Sequence, residues 1–91
     1  MWTVLLSSRA RKNRRTLPAT IEAAFKVLLA ELEYDGPNRA NWANYSKLGS
    51  RTHHCHIKKG RPTYVAVWRV ENGRIRIIEV TYVGTHEKAP Y

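Results

Sequence analysis

Apolar positions follow two rhythms along the chain. After Pro18, the residues Ile21, Ala24, Phe25, Leu28 and Leu32 recur at helical spacing on one face, while Glu22, Lys26, Glu31 and Glu33 fall mostly elsewhere. Pro18 suits the first turn, and Asp35-Gly36-Pro37 supplies a glycine cap followed by a proline that forbids continuation, so an amphipathic helix with one face in a core is predicted. Ahead of it, residues 2–6 are β-branched and aromatic enough for a short strand, and Ser7 or Ser8 offers a hydroxyl to cap a helix over residues 9–15. That first helix has little apolar surface beyond Ala10. From residue 38 to 50 the pattern is loop-like, anchored by Trp42, Tyr45 and Leu48. Strand-type alternation then takes over in residues 52–58, 63–70 and 74–83, punctuated by Lys59-Gly60-Arg61-Pro62 and by Asn72-Gly73, a strong hairpin turn. The order implies an α+β fold of β-α-α-β-β-β type, with two N-terminal helices packed on one face of a small twisted antiparallel sheet. Ile21, Phe25, Leu28 and Leu32 are expected to meet Cys55, Ile57, Tyr64, Ala66 and Trp68 across that interface.

Composition narrows the classes. With 91 residues, 43% of them hydrophobic, the chain is sized for one domain over residues 1–91 and one core. Sixteen Lys and Arg against seven Asp and Glu give a net charge of +9, which points to an anionic partner. Five of those cations, Arg9, Arg11, Lys12, Arg14 and Arg15, crowd the first helix. The apolar stretch of residues 2–6 is too short for a signal peptide and runs into this basic cluster, and no apolar run approaches the roughly 20 residues that span a bilayer. With Cys55 the single cysteine, no internal disulfide can form, and a reducing, cytoplasmic setting without a membrane partner is expected.

Alternation along residues 52–58 puts His53, Cys55 and Ile57 on the helix side and His54, His56 and Lys58 on the opposite face. The latter three read either as an anion site or as solvated polar residues on an open sheet face. His53 reads as a packing or strand-end histidine. Zinc is disfavoured, because alternation separates Cys55 from the His54/His56 pair, and only His86 from afar could join them where a structural site takes four ligands. No cofactor is implied. The ending Val83-Gly84-Thr85-His86-Glu87-Lys88-Ala89-Pro90-Tyr91 offers an imidazole, an ammonium and a phenol. Folded back over the open face, it would join His54, His56 and Lys58. Cleavage of RNA by its own 2′-hydroxyl needs a base, an acid and cations for the charge growing on phosphorus, and histidines and lysines supply these.

Together with the element order, the Trp42-x-x-Tyr45-x-Lys47-Leu48 loop, the Lys59-Gly60-Arg61-Pro62-Thr63-Tyr64-Val65-Ala66-Val67-Trp68 arm and the Val83-Gly84-Thr85-His86 ending resemble the RelE/ParE superfamily of toxins from type II toxin-antitoxin systems, the ending being closest to its HigB branch. The resemblance implies helices on one sheet face, active residues on the other, and metal-independent endoribonuclease activity on mRNA in the ribosome. It matches the family's strand pair of basic residues to His56 and Lys58, its basic residue after the V-G turn to His86, a further basic residue to Lys88 and its C-terminal tyrosine to Tyr91. The family's arginine on the next strand falls at Val65 here, leaving Arg61 or Lys88 to stabilise phosphate. Implied partners are mRNA on the ribosome, ribosomal RNA contacted through Arg9, Arg11, Lys12, Arg14, Arg15, Lys59 and Arg61, and an antitoxin with acidic segments encoded next door. Two other functions fit the residues less fully. A ParE-like inhibitor of DNA gyrase has no need of the histidines, and a general RNA-binding domain leaves them without a task.

Overall fold

The computed structural model describes residues 1–58, 60–71 and 76–91. In chain order the elements are β1 (Thr3–Leu6), α1 (Ser8–Arg14), α2 (Ala19–Asp35), β2 (Ala43–Lys47), β3 (Thr52–Lys58), β4 (Tyr64–Val70), β5 (Ile77–Thr85) and a 3₁₀ turn, His86–Lys88. Lys59 and the Asn72-Gly73 turn lie outside the described residues. Ser7 is the cap of α1, its hydroxyl accepting from the Ala10 amide at 3.1 Å. Gly36 ends α2 at φ 90°, a left-handed value that suits glycine, and sits against the Trp2 indole, where a Cβ would stand 2.9 Å from Nε1.

The strands form one sheet in the order β1-β5-β4-β3-β2. Two features differ from the sequence expectation. First, β1 pairs with β5 in parallel, so the sheet is mixed. The intervening helices make this possible, because a parallel neighbour needs a long crossover. Second, residues 43–47, expected as loop, form an edge strand on β3. This segment is polar and largely exposed, Asn44 takes a left-handed φ of 53°, and the pairing register shifts between Ala43 and Ser46, so the segment carries no alternation for a pattern reading to find.

The core lies between the helices and one sheet face. Ala10, Phe25, Leu28 and Leu32 pack with Cys55, Ala66, Trp68, Ile78, Val80 and Val83, and Ile57 borders the cluster. Ile21 is also buried. Tyr64 is half-buried and shares a depression with Ile21. A register shift between Val67 and Trp68 pairs Val67 with Tyr82 but Trp68 with Val80. The extra residue on β5 lets Val80 and Val83 both face the helices while Tyr82 turns to the other side. There Val65, Val67 and Tyr82 form a second small cluster covered by Ala89 of the tail. The face read as solvated is therefore partly packed. Among the described residues, no helix is long and apolar enough to cross a membrane.

Candidate active site

Strand β3 carries His53 toward the helices and His54 and His56 away from them. His53 is 3% exposed, lies parallel to the Trp68 ring at 5.9 Å and contacts the Tyr45 hydroxyl through Nδ1 at 2.6 Å. That hydroxyl also bonds Asn38 Oδ1 at 3.0 Å, so with its one proton given to Asn38 it accepts from the imidazole. Burial, with Lys47 as a smaller cause, pushes the His53 pKa down and keeps the ring neutral, which makes it a packing residue. Cys55 on the same face is buried, and burial, followed by Glu31, pushes its thiol up to about 12. It is neither a nucleophile nor a ready ligand.

On the other face the tail folds back toward β3 and β4. The His86 amide donates to the Thr63 carbonyl at 2.8 Å, and Ala89 settles on Val65, Val67 and Tyr82. Four rings then close a circuit: His54 to His56 at 6.1 Å, His56 to His86 at 5.7 Å, His86 to Tyr91 at 5.8 Å and Tyr91 to His54 at 4.8 Å between centroids. His54 is 9% exposed, and its Nδ1 lies 3.1 Å from Ser46 Oγ and 3.4 Å from the Ser46 carbonyl. Burial, then Cys55 and Tyr82, pushes the Tyr91 phenol above its ordinary pKa, so it stays protonated at neutral pH. A cleft lined by Leu48, Thr52, Val67, Arg69, Thr81 and Pro90 adjoins Tyr91.

The two lysines expected here each line another depression. Pairing shifts between His56 and Lys58, and Lys58 lines a depression with Pro18, Thr20 and Ile21 at the start of α2. Lys88 lines a separate pocket against α1, where its carbonyl accepts from Arg9 Nη2 at 3.2 Å. Arg61 lines a depression with His86 and Glu87. Of the basic helix, Arg9, Arg11, Lys12 and Arg15 are exposed. Arg14 is turned inward: it meets Glu22 through Nε and Nη2 at 2.8–3.1 Å and lies over the Phe25 ring. The pairing lowers the Glu22 pKa and raises that of Arg14, so Arg14 fastens α1 to α2 rather than facing a ligand. Sequence reasoning did not find Ser46, because the β2–β3 pairing that brings it to His54 leaves no pattern. Among the described residues, no group of three or more His, Cys, Asp or Glu is placed to hold a metal ion.

No protein-family model matches the chain, and no curated protein matches it by sequence. Solved structures do match. A mutant of the E. coli toxin RelE in the free state superposes with a TM-score of 0.72 at 20% identity, covering 97% of this chain and 86% of that one. The archaeal RelE-RelB complex from Pyrococcus horikoshii gives 0.72 at 15% identity, covering 97% and 98%. The intact E. coli RelBE toxin-antitoxin complex gives 0.67 at 23% identity, covering 97% and 100%. The fold is that of RelE toxins, which the sequence resemblance implied.

Proposed function

We propose that this RelE-fold protein is the toxin of a toxin-antitoxin pair and an endoribonuclease that cuts mRNA on the ribosome. The observation that carries the reading is the closed circuit of His54, His56, His86 and Tyr91 on the sheet face away from the helices. A phosphodiester seated among these rings has proton acceptors and donors on several sides. One of His56 and His86 takes the proton of the 2′-hydroxyl as its oxygen attacks phosphorus. The other histidine, or the protonated Tyr91 phenol, gives a proton to the departing 5′-oxygen. His54, held by Ser46, flanks the phosphate, and Arg61 beside His86 meets the charge that grows on its oxygens. No step requires a metal ion. Lys58 and Lys88, with the exposed Arg11, Lys12 and Arg15, attract RNA.

Two of the matched structures are complexes with an antitoxin, and a net charge of +9 suits a partner with acidic segments. Single-turnover cutting of ribosome-bound message, with and without chelator, tests the reading. Cutting is expected in both, and His56→Ala or His86→Ala should each lose about 10²-fold or more. Full activity in the double variant would remove this mechanism, and loss of cutting with chelator would bring a metal back. A wild type that cuts nothing but inhibits gyrase would move the protein to the ParE-like class.

A further inference from the structure

A pocket of 260 Å³ opens between α1 and the end of β5, and it shares no lining residue with the histidine circuit. Arg9, Asn13, Thr16 and Lys88 line it, and no carboxylate does. This sets Arg9 apart from three other arginines: Arg14 is paired with Glu22, Arg39 with Glu31, and Arg69 with Glu71 and Glu79. Among the described residues Arg9 has no ion pair, and its exposed side chain meets neutral groups. It lies 4.8 Å from the centre of the Tyr82 ring, and Nη2 donates to the Lys88 carbonyl at 3.2 Å. The nearby Thr85 carbonyl is likewise engaged, accepting from the Tyr82 hydroxyl at 2.6 Å. Two acceptors that would repel an anion are thus already bonded, and the positive charge is not compensated.

We propose that this pocket is a second phosphate site, gripping the RNA backbone beside the bond held by the histidines. Its ligand rests on the endoribonuclease reading. Arg9 supplies a planar fork for two phosphate oxygens, Lys88 a movable ammonium, and Asn13 and Thr16 neutral donors. His86 and Lys88 stand at the two ends of one three-residue 3₁₀ turn, which rises about 2 Å per residue, so the two sites are close enough to hold phosphates of one strand. The 3₁₀ turn also sends side chains two positions apart in different directions, which divides the tail between the two sites.

A short 2′-O-methyl oligoribonucleotide, which cannot be cut by 2′-hydroxyl attack, is the probe, and its binding to the full chain is read by fluorescence anisotropy across a salt series. Arg9→Gln with Lys88→Gln should weaken binding about tenfold or more and reduce the salt slope by up to about 0.7 per lost contact. Lys26→Gln with Arg51→Gln removes the same charge from exposed positions elsewhere and should leave the slope near the wild-type value. If both pairs change the slope alike, or neither does, or the wild type binds an acidic peptide but not the oligonucleotide, the proposal is overturned. Should the Arg9 variant melt early, Lys88→Gln alone keeps the test, since the bond to Arg9 uses the Lys88 backbone. A wild type that cuts message while the slope stays unchanged would remove the pocket and leave the enzyme. A wild type that cuts nothing while the Arg9/Lys88 slope falls would do the reverse.

Discussion

Gly84 lies so near Tyr82 that a Cβ added there would stand 2.7 Å from the phenolic oxygen and 3.0 Å from Cζ. That phenol holds the Thr85 carbonyl at the point where the chain turns toward His86, so one missing methyl group lets the tail lie down. Gly84→Ala should destabilise by about 1–3 kcal/mol, the usual range for overpacking, and slow RNA cutting more than it lowers the melting temperature, because it displaces the turn bearing His86. Calorimetry beside single-turnover rates checks both halves. His53 gives a pH signature of its own. Its folded-state pKa is lowered from 6.5, so the unfolded chain takes up a proton first and stability declines as pH falls below about 6.5 toward the lower folded value. Glu22 and Glu31 act in a second window. Hydrogen bonds from Arg14 hold down the first, and those from Asn41, Trp42 and Arg39 hold down the second, so their stabilisation persists above 4.5 and is lost at lower pH. His53→Phe keeps a ring on Trp68 and should flatten the upper window alone in urea unfolding midpoints taken between pH 7 and pH 5.

Among the elements, α2 is the one whose side chains the sequence placed most completely. Ile21, Phe25, Leu28 and Leu32 are the residues it buries, because a helix of this length imposes its own 3.6-residue period whatever it packs on. Phe25→Ala should cost about 3–5 kcal/mol in denaturant unfolding, and a neutral result would mean that α2 does not carry the core. The short α1 depends on its neighbours: Ala10 is buried, Ser7 caps it and Arg14 ties it to Glu22. That ion pair is about a third exposed on both sides, so Arg14→Ala should cost about 1 kcal/mol or less through the pair itself, plus whatever its contact with Phe25 adds. β2 was illegible for a physical reason. An edge strand of Ala43, Asn44, Tyr45, Ser46 and Lys47 is defined by the backbone it pairs with rather than by its side chains. The parallel β1–β5 pairing was hidden in the same way, since register between strands more than 70 residues apart is a property of the assembled sheet.

Across the whole molecule, two faces divide the work. The helix face stores the packing energy, while the opposite face carries the rings, a small apolar floor and the folded-back tail. His54, His56, His86 and Tyr91 were legible as site candidates from strand alternation and from the chemistry of the tail. Their meeting depends on Ala89 docking on Val65, Val67 and Tyr82. Strand alternation puts Lys58 on the face of His54 and His56, and the C-terminal ending brings Lys88 with His86 and Tyr91. The register shift after His56 is not foreseen by alternation, and the two lysines line depressions other than the ring circuit. The chemistry proposed for this face turns the 2′-hydroxyl of RNA against its own phosphate. The most direct measurement is the chemistry of the ends left on a ribosome-bound message after a single turnover. Attack by the 2′-oxygen with expulsion of the 5′-oxygen must leave a 2′,3′-cyclic phosphate on the upstream fragment and a 5′-hydroxyl on the downstream one. A 5′-phosphate with a free 3′-hydroxyl, or a message left uncut, would contradict it.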